Sequence, residues 1–505
     1  MTGLRRFWPM LPVITALLLF APAVTFESVR WDDPQLVFEN PRVTAFSPSI
    51  WWTYDPELYV PLTLTTYQIE YALVGPQPWL FHLTNILLHA LNAALVFLLL
   101  KRLTGSQSAA AIAAALFAAH PLTIEAVAWI SGRKELLWAA FALCSMLLYA
   151  RTDARHVRTL LPSIGCMILA TLAKPTALVI PFLLLTIDAA TGRRIDQRVA
   201  VEKWPYVIVS IITGVIAFLG KEHAVGMLGP LDTLLLALRS VAHTAQHALA
   251  PIGLSTLYPV DPSGIRSAPA LLAGAAVLLL AGAAWILRRR ATLLGAGITF
   301  FLIALAPSLL AYQRSNEVAL AADRYAYVPL VGLALVAAWG FTWMESRGKR
   351  AIVWIFGALA IALLAACTTL HLPVWHDTET LFRAALKTAP TSIVAKNNLA
   401  FRLLADGKLA EAEVLLSEAL TANPRYADAL VNLAAIRGRQ GRLDEAESLL
   451  LQALSINPKH VNAHINLGGV ALKHGDRLRA RAEYEAALAL QPGNPHALRL
   501  LQQME

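Results

Sequence analysis

The run WLFHLTNILLHALNAALVFLLL, residues 79–100, holds no Asp, Glu, Lys or Arg. About 20 mostly apolar residues suffice for a helix to cross a bilayer. Its polar residues are not scattered. His82, Asn85, His89 and Asn92 follow one another at spacings of 3, 4 and 3, which places all four on one helical face. Polar side chains are costly against hydrocarbon, so this stripe must face other helices or a wet cavity. For His89 and Asn92 the plainer expectation is hydrogen bonding between helices. His82, at the outer end of the run, is the better site candidate.

The rest of the chain fits a bundle built around such a helix. It is 57% hydrophobic but only 15% charged, against about a quarter in soluble domains. Further apolar runs lie near 9–26, 107–120, 136–150, 159–173, 175–190, 204–220, 268–287, 292–311, 325–344 and 351–371, predicting about 11 spans. The net charge of +9 does not point to nucleic acid, because the excess lies among the apolar runs: residues 1–371 hold 27 Lys/Arg against 19 Asp/Glu, and the remainder 15 against 14. Basic clusters fall at every second connection: Arg5/Arg6, Lys101/Arg102, Arg151/Arg155/Arg158, Arg193/Arg194/Arg198/Lys203, Arg288–Arg290 and Arg347/Lys349/Arg350. Assigning them to the cytoplasm predicts an inward N-terminus and residues 372–505 outside. The segment 231–252 carries Arg239, His243, Gln246 and His247, and is expected to be interfacial or re-entrant. An A-x-A-like leader site exists at Ala21-Pro22-Ala23, but proline is a poor context for cleavage, so the first run is expected to stay as an anchor. Cys144, Cys166 and Cys367 sit inside apolar runs with no framework spacing and read as packing residues.

Beyond residue 372 the pattern changes. Pro390, Pro424, Pro458 and Pro492 are spaced 34 apart, with Gly407, Gly441 and Gly475 at matching turns. Ala412, Ala446 and Ala480, then Ala419, Ala453 and Ala487, recur where two helices must approach closely. This is the tetratricopeptide pattern, in three full repeats near 393–426, 427–460 and 461–494, preceded by a helix at 376–389. Such a stack commonly holds peptide on its concave side. A spacer that only dimerises is the blander alternative. The predicted fold is thus all-α: a polytopic membrane domain, 1–371, and a helical-repeat domain, 372–505.

The outer loops carry the ionisable groups. WDDPQLVFENP brings Asp32 and Asp33 behind the first span, and HPLTIEAVAWISGRKELL brings His120, Glu125, Arg133, Lys134 and Glu135 to the membrane edge. Lys174 stands between two apolar stretches in LAKPTALVIP, and Arg324 follows Asp323 in ADRYAYVPLVG. Alone, an Asp-Asp pair is most often a solvated loop. Beside Arg133, Lys134, Lys174 and Arg324 it gains a chemical meaning. Cations bind phosphate and stabilise a departing phosphate oxygen, while a carboxylate accepts the proton of an attacking hydroxyl. A sugar linked to a lipid phosphate needs this combination. Its leaving group is already an anion, so the two-carboxylate arrangement of glycoside hydrolysis is not required. The acidic pair can also ligate a divalent cation through oxygen.

Several segments, WDDPQLVFENPRV, PLTLTTYQIEYALVG, FHLTNILLHALNAALVFLLL, HPLTIEAVAWISGRKELL, LAKPTALVIPFLLLTID, LSTLYPVDP and DRYAYVPLVG, resemble in order the family of transmembrane and tetratricopeptide repeat-containing proteins. Its animal members are protein O-mannosyltransferases of the GT-C superfamily. The three repeats here resemble a shorter, bacterial form. The resemblance implies a polyprenyl-phosphate sugar donor, a protein acceptor and a catalytic acid in the first outer loop. By position, Asp32 and Asp33 match that acidic pair, Arg133 and Lys134 the basic pair of the second outer loop, and Arg324 the arginine before the tyrosine–proline segment. The rival expectations are a membrane-anchored repeat adaptor without catalysis and a carrier. The carrier is disfavoured because the polar groups cluster at the outer edge rather than through the membrane's depth.

Overall fold

The computed structural model describes residues 7–54, 58–151, 157–194, 196–220, 228–261, 264–310 and 317–504. Arg5, Arg6 and Arg155 of the basic clusters lie outside them. The described residues are all-α apart from an isolated antiparallel bridge between Pro259 and Ala319. The chain divides into two compact units, one of residues 1–314 and 318–377, the other of 315–317 and 378–505.

Among the described residues of the first unit, five helices are long and apolar enough to cross a membrane: Pro78–Thr104, Gln197–Leu219, Ala268–Arg290, Thr292–Leu309 and Arg350–Trp375. A sixth arises if Gln107–Ala119 and Pro121–Ala128, bent by 58°, count as one broken span. Several of the remaining expected runs form shorter apolar helices, Met10–Thr25, Arg158–Ala173 and Pro175–Ala190. Two breaks share one cause. The residue before a proline is pushed out of the helical region by the pyrrolidine ring. His120 (φ −73°, ψ 129°) therefore ends the Gln107–Ala119 helix ahead of Pro121, and Lys174 (φ −158°, ψ 127°) ends Leu161–Ala173 ahead of Pro175. Each break hands a polar side chain to the interior. The 231–252 segment forms a helix, Pro230–Leu249, with Leu235, Leu236, Ser240, Val241, Thr244 and His247 buried, and it is not among the spans by length and apolarity.

The stripe on Pro78–Thr104 faces protein, and all four residues are buried. Asn92 Nδ2 donates to the Leu136 carbonyl at 2.9 Å and to the Tyr327 hydroxyl at 3.2 Å. His89 contacts the Tyr327 hydroxyl at 2.7 Å and the Ala118 carbonyl at 3.1 Å. The interhelical role expected for these two is what their contacts provide. The helix that follows the Arg324 segment, Pro329–Ser346, approaches Thr292–Leu305 so closely that a Cβ at Gly332 would lie 2.5 Å from the Gly297 carbonyl. Small residues at such crossings let membrane helices pack backbone to backbone.

In the second unit, three helix pairs stack in sequence: Ile393–Ala405 with Leu409–Ala422, Ala427–Arg439 with Leu443–Ile456, and Val461–Lys473 with Arg477–Leu490. Thr378–Thr388 precedes them and Pro495–Gln502 follows. Gly407, Gly441 and Gly475 take φ of 77°, 79° and 84° at the turns within the pairs, a conformation costly for any residue with a Cβ. The recurring alanines 412, 419, 446, 453, 480 and 487 are all fully buried. Where the third repeat carries Gly468, the Tyr484 ring fills the space a Cβ would need, 2.5 Å away.

Candidate active site

The sequence-predicted residues divide into a cluster and its scaffold. Asp32 and Asp33 part company because Asp33 has helical backbone angles (φ −60°, ψ −40°), and successive helical residues point about 100° apart. Asp33 turns inward and is fully buried. The Val29 N–H donates to its Oδ2 at 2.9 Å, and the Ser131 N–H and hydroxyl donate to its Oδ1 at 3.0 and 2.5 Å. It thereby latches the loop after the first apolar helix to the segment that leads into Arg133–Arg151. Asp32 stays partly exposed, with Lys134 Nζ 3.8 Å from Oδ2.

Burial pushes the Asp33 carboxyl up to about 7, against the pull of its three donors. Proton uptake is then easier in the folded chain than in the unfolded one, whose carboxyl titrates near 4. This group adds stability below pH 4, loses it as pH rises toward 7, and contributes none above. The thermal midpoint of the detergent-solubilised protein should therefore fall between pH 5 and pH 8, and Asp33→Asn should flatten that slope. A wild-type slope unchanged by the substitution would count against the assignment.

Arg133 and Lys134 separate for the same reason, as the first two residues of the helix Arg133–Arg151. Arg133 is fully buried and its guanidinium is occupied: Nε donates to Asn85 Oδ1 at 2.9 Å, Nη1 to Glu70 Oε2 at 2.5 Å and Thr66 Oγ1 at 3.1 Å, and Nη2 to the Phe81 carbonyl at 2.8 Å. The Tyr67 ring lies 4.5 Å from its Cζ. The expected phosphate ligand thus has its donors engaged within the fold. Asn85, from the polar stripe, belongs to this same knot.

Lys134, Lys174 and Arg324 do come together, strung along two aromatic rings. Lys174 Nζ and Arg324 Cζ lie 4.7 and 4.8 Å from the Tyr325 ring centroid. Arg324 Cζ and Lys134 Nζ lie 5.2 and 5.6 Å from that of Trp129. Lys174 is ion-paired with Glu135, which also accepts from Trp138 Nε1 at 2.9 Å. Arg324 is ion-paired with Glu125, whose second oxygen accepts the Arg324 backbone N–H at 2.9 Å. Burial of such pairs requires close hydrogen-bonded partners, and both have them. The third pair, Lys134 with Asp32, is too long for a hydrogen bond. Burial, more than any neighbour, pushes the Lys134 ammonium below its usual range; Asp32 and Glu135 favour its charge, and Arg324 and Lys174 oppose it. The pair a ligand can open most readily is therefore Asp32–Lys134.

His82 and His120 are not part of this chain of contacts. His82 is buried against Phe26, with its Nε2 3.4 Å from the Glu27 carbonyl. His120 Nδ1 accepts the Leu122 N–H at 3.2 Å, so its Nε2 carries the proton facing the Ala248 carbonyl at 3.0 Å. That fixes a neutral imidazole capping the turn after Pro121. The acidic pair does not fit a divalent cation: Asp33 has its oxygens taken by N–H and O–H donors, and Asp32 faces an ammonium. Among the described residues no three His, Cys, Asp or Glu side chains gather as a cation would need. Ser131, Trp129 and Tyr325 were not among the residues singled out for chemistry, although two of them lie in the quoted second-loop segment and the third follows Arg324 directly.

A tetratricopeptide-repeat family model matches residues 403–453 and 439–504. Among curated proteins, human protein O-mannosyl-transferase TMTC3 is 34% identical over 134 residues, 24% of this chain and 14% of that protein. Xenopus laevis protein O-mannosyl-transferase tmtc2 is 40% identical over 121 residues, 23% and 14% of the two chains. Human protein O-mannosyl-transferase TMTC4 is 34% identical over 175 residues, 29% and 24%. The matched stretch thus spans about a seventh of the first two relatives and a quarter of the third. Among solved structures, YrrB, a tetratricopeptide-repeat protein with a peptide-binding site, is 21% identical over 32% of this chain and 87% of that one, with a TM-score of 0.23. The first tetratricopeptide repeat domain of Spaghetti, bound to an HSP90 peptide, is 22% identical over 22% and 89%, with a TM-score of 0.21. The chain is a multi-pass membrane protein with tetratricopeptide repeats and homologues among the TMTC protein O-mannosyl-transferases.

Proposed function

We propose that this homologue of the protein O-mannosyl-transferases is an integral membrane glycosyltransferase. It moves a mannose-like sugar from a polyprenyl-phosphate donor to a Ser/Thr hydroxyl of a protein. The observation that carries the reading is the partly exposed Asp32 carboxylate 3.8 Å from Lys134, in a cluster with Lys174 and Arg324. The lipid tail lies among the helices of residues 1–371, and the phosphate meets Lys134, with Lys174 and Arg324 supplying positive field. Asp32 takes the proton of the acceptor hydroxyl as its oxygen attacks the anomeric carbon. The bond from that carbon to the phosphate oxygen breaks, and its electron pair leaves with the phosphate beside the cations. Attack opposite the leaving group inverts the anomeric configuration. Asp33 and Arg133 hold the two outer loops that carry Asp32 and Lys134. The repeats, 372–505, lie outside the cytoplasm with the active face and hold the acceptor in extended form, as the distribution of Lys and Arg over the connections supports.

The repeat match also favours a plainer adaptor that recruits a partner. Membranes carrying the intact chain, or a chain ending at residue 377, separate the two when supplied with labelled polyprenyl-phosphate mannose. The enzyme reading expects labelled protein with the intact chain and strongly reduced label without the repeats. An adaptor gives no label in either case while the repeats still capture a partner.

A further inference from the structure

Trp129 lies beside two of the cluster's cations and is fully buried, yet among the described residues its indole N–H has no hydrogen-bond partner. Trp31, next to Asp32, stacks on it with centroids 5.3 Å apart and planes at 27°, and Trp375 approaches to 5.9 Å. Lys134 and Arg324 lie within 5.6 and 5.2 Å of the same ring. Buried tryptophans ordinarily give their N–H an acceptor, and leaving one without costs free energy. These four neighbouring side chains cannot supply one: ammonium, guanidinium and indole are all donors only. The two cations stand over the ring with carboxylates of their own, and the indole N–H is the donor left without an acceptor.

We infer that Trp129 is a donor-substrate contact, its indole N–H hydrogen-bonding a phosphate oxygen of the lipid-phosphate sugar alongside Lys134 and Arg324. The inference rests on the proposed lipid-phosphate reading and adds to it a residue that is neither charged nor acidic. Trp31 braces one face of the ring, so the loop that presents Asp32 also fixes the N–H that meets the phosphate. The base and the leaving-group contact are thereby held at a set separation.

The test is binding of polyprenyl monophosphate and of inorganic phosphate to the purified full chain in vesicles. The proteins compared are wild type, Trp129→Phe and a chain carrying benzothienylalanine at position 129. The last replaces the N–H by sulfur and keeps the ring's shape, so it remains informative if Trp129→Phe does not fold. The expected result is polyprenyl monophosphate binding weakened about tenfold in both altered chains, as for loss of one hydrogen bond to a charged group. Unchanged binding in the benzothienylalanine chain overturns the assignment of Trp129 and leaves the lipid-phosphate reading standing. No binding of polyprenyl monophosphate by wild type overturns both. Trp129-dependent binding of inorganic phosphate alone also overturns the assignment to a lipid donor.

Discussion

Asp32→Asn should lower sugar transfer by about two to four orders of magnitude, the usual contribution of a general base, and leave the thermal midpoint almost unchanged. The stability half follows from the surroundings. The side chain is one-third exposed, and its charged neighbour, Lys134, stands 3.8 Å away. Lys134 itself is buried, but the separation is too long for a hydrogen bond and Asp32 is in part solvated, so losing this pair costs far less than losing a buried, hydrogen-bonded one. The activity half follows from the chemistry, since an amide cannot take the proton of an acceptor hydroxyl. Asp33→Asn should behave in the opposite sense. Its amide nitrogen would meet one of the N–H groups that now donate to the carboxylate, at a cost of about 1–3 kcal/mol. Single-turnover transfer rates and melting curves on both variants check the pair. Full activity in Asp32→Asn, with activity lost only in Asp33→Asn, would exchange the two roles.

Arg133→Met should destabilise the protein by about 3–5 kcal/mol, because it leaves Glu70 buried without its partner. Four further contacts go with it: those to Asn85, Thr66 and the Phe81 carbonyl, and the stacking over Tyr67. Adding Glu70→Met should restore much of the loss, since an apolar pair replaces an ion pair without an orphaned charge. Lys134→Met, one residue on, should instead leave the melting curve close to wild type and raise the KM for the lipid donor. Thermal unfolding of the three variants in one detergent separates scaffold from site. A normal melting temperature for Arg133→Met, together with a raised donor KM, would return Arg133 to the phosphate.

The repeats were legible because their period is long and their small residues recur at fixed positions, and the alanines read from that period are buried as expected. The polar stripe on residues 79–100 was legible for a similar reason, since helical spacing alone puts His89 and Asn92 on an interhelical face. Neighbouring charges were harder to read. Asp32-Asp33 and Arg133-Lys134 look like units in the sequence, but helical backbone at both places sends one member inward and leaves the other toward the cluster. Which member turns inward depends on Ser131, Glu70 and Asn85, from segments distant along the chain or of no evident charge pattern. The aromatic rings that space the cations had no charge to mark them. The breaks at His120-Pro121 and Lys174-Pro175 were visible as prolines, but the shortening they impose on the apolar runs shows only once the helices are built.

The most direct test of the central claim is transfer by the purified full chain in vesicles. Polyprenyl-phosphate mannose labelled in the sugar is supplied with a Ser/Thr-containing acceptor protein, and wild type is compared with Asp32→Asn and Lys134→Met. The expected result is label on hydroxyl side chains with wild type, near-complete loss with Asp32→Asn, and a raised donor KM with Lys134→Met. Equal transfer by all three would contradict the assignment of the site, and no transfer by any of them would contradict the donor and the reaction.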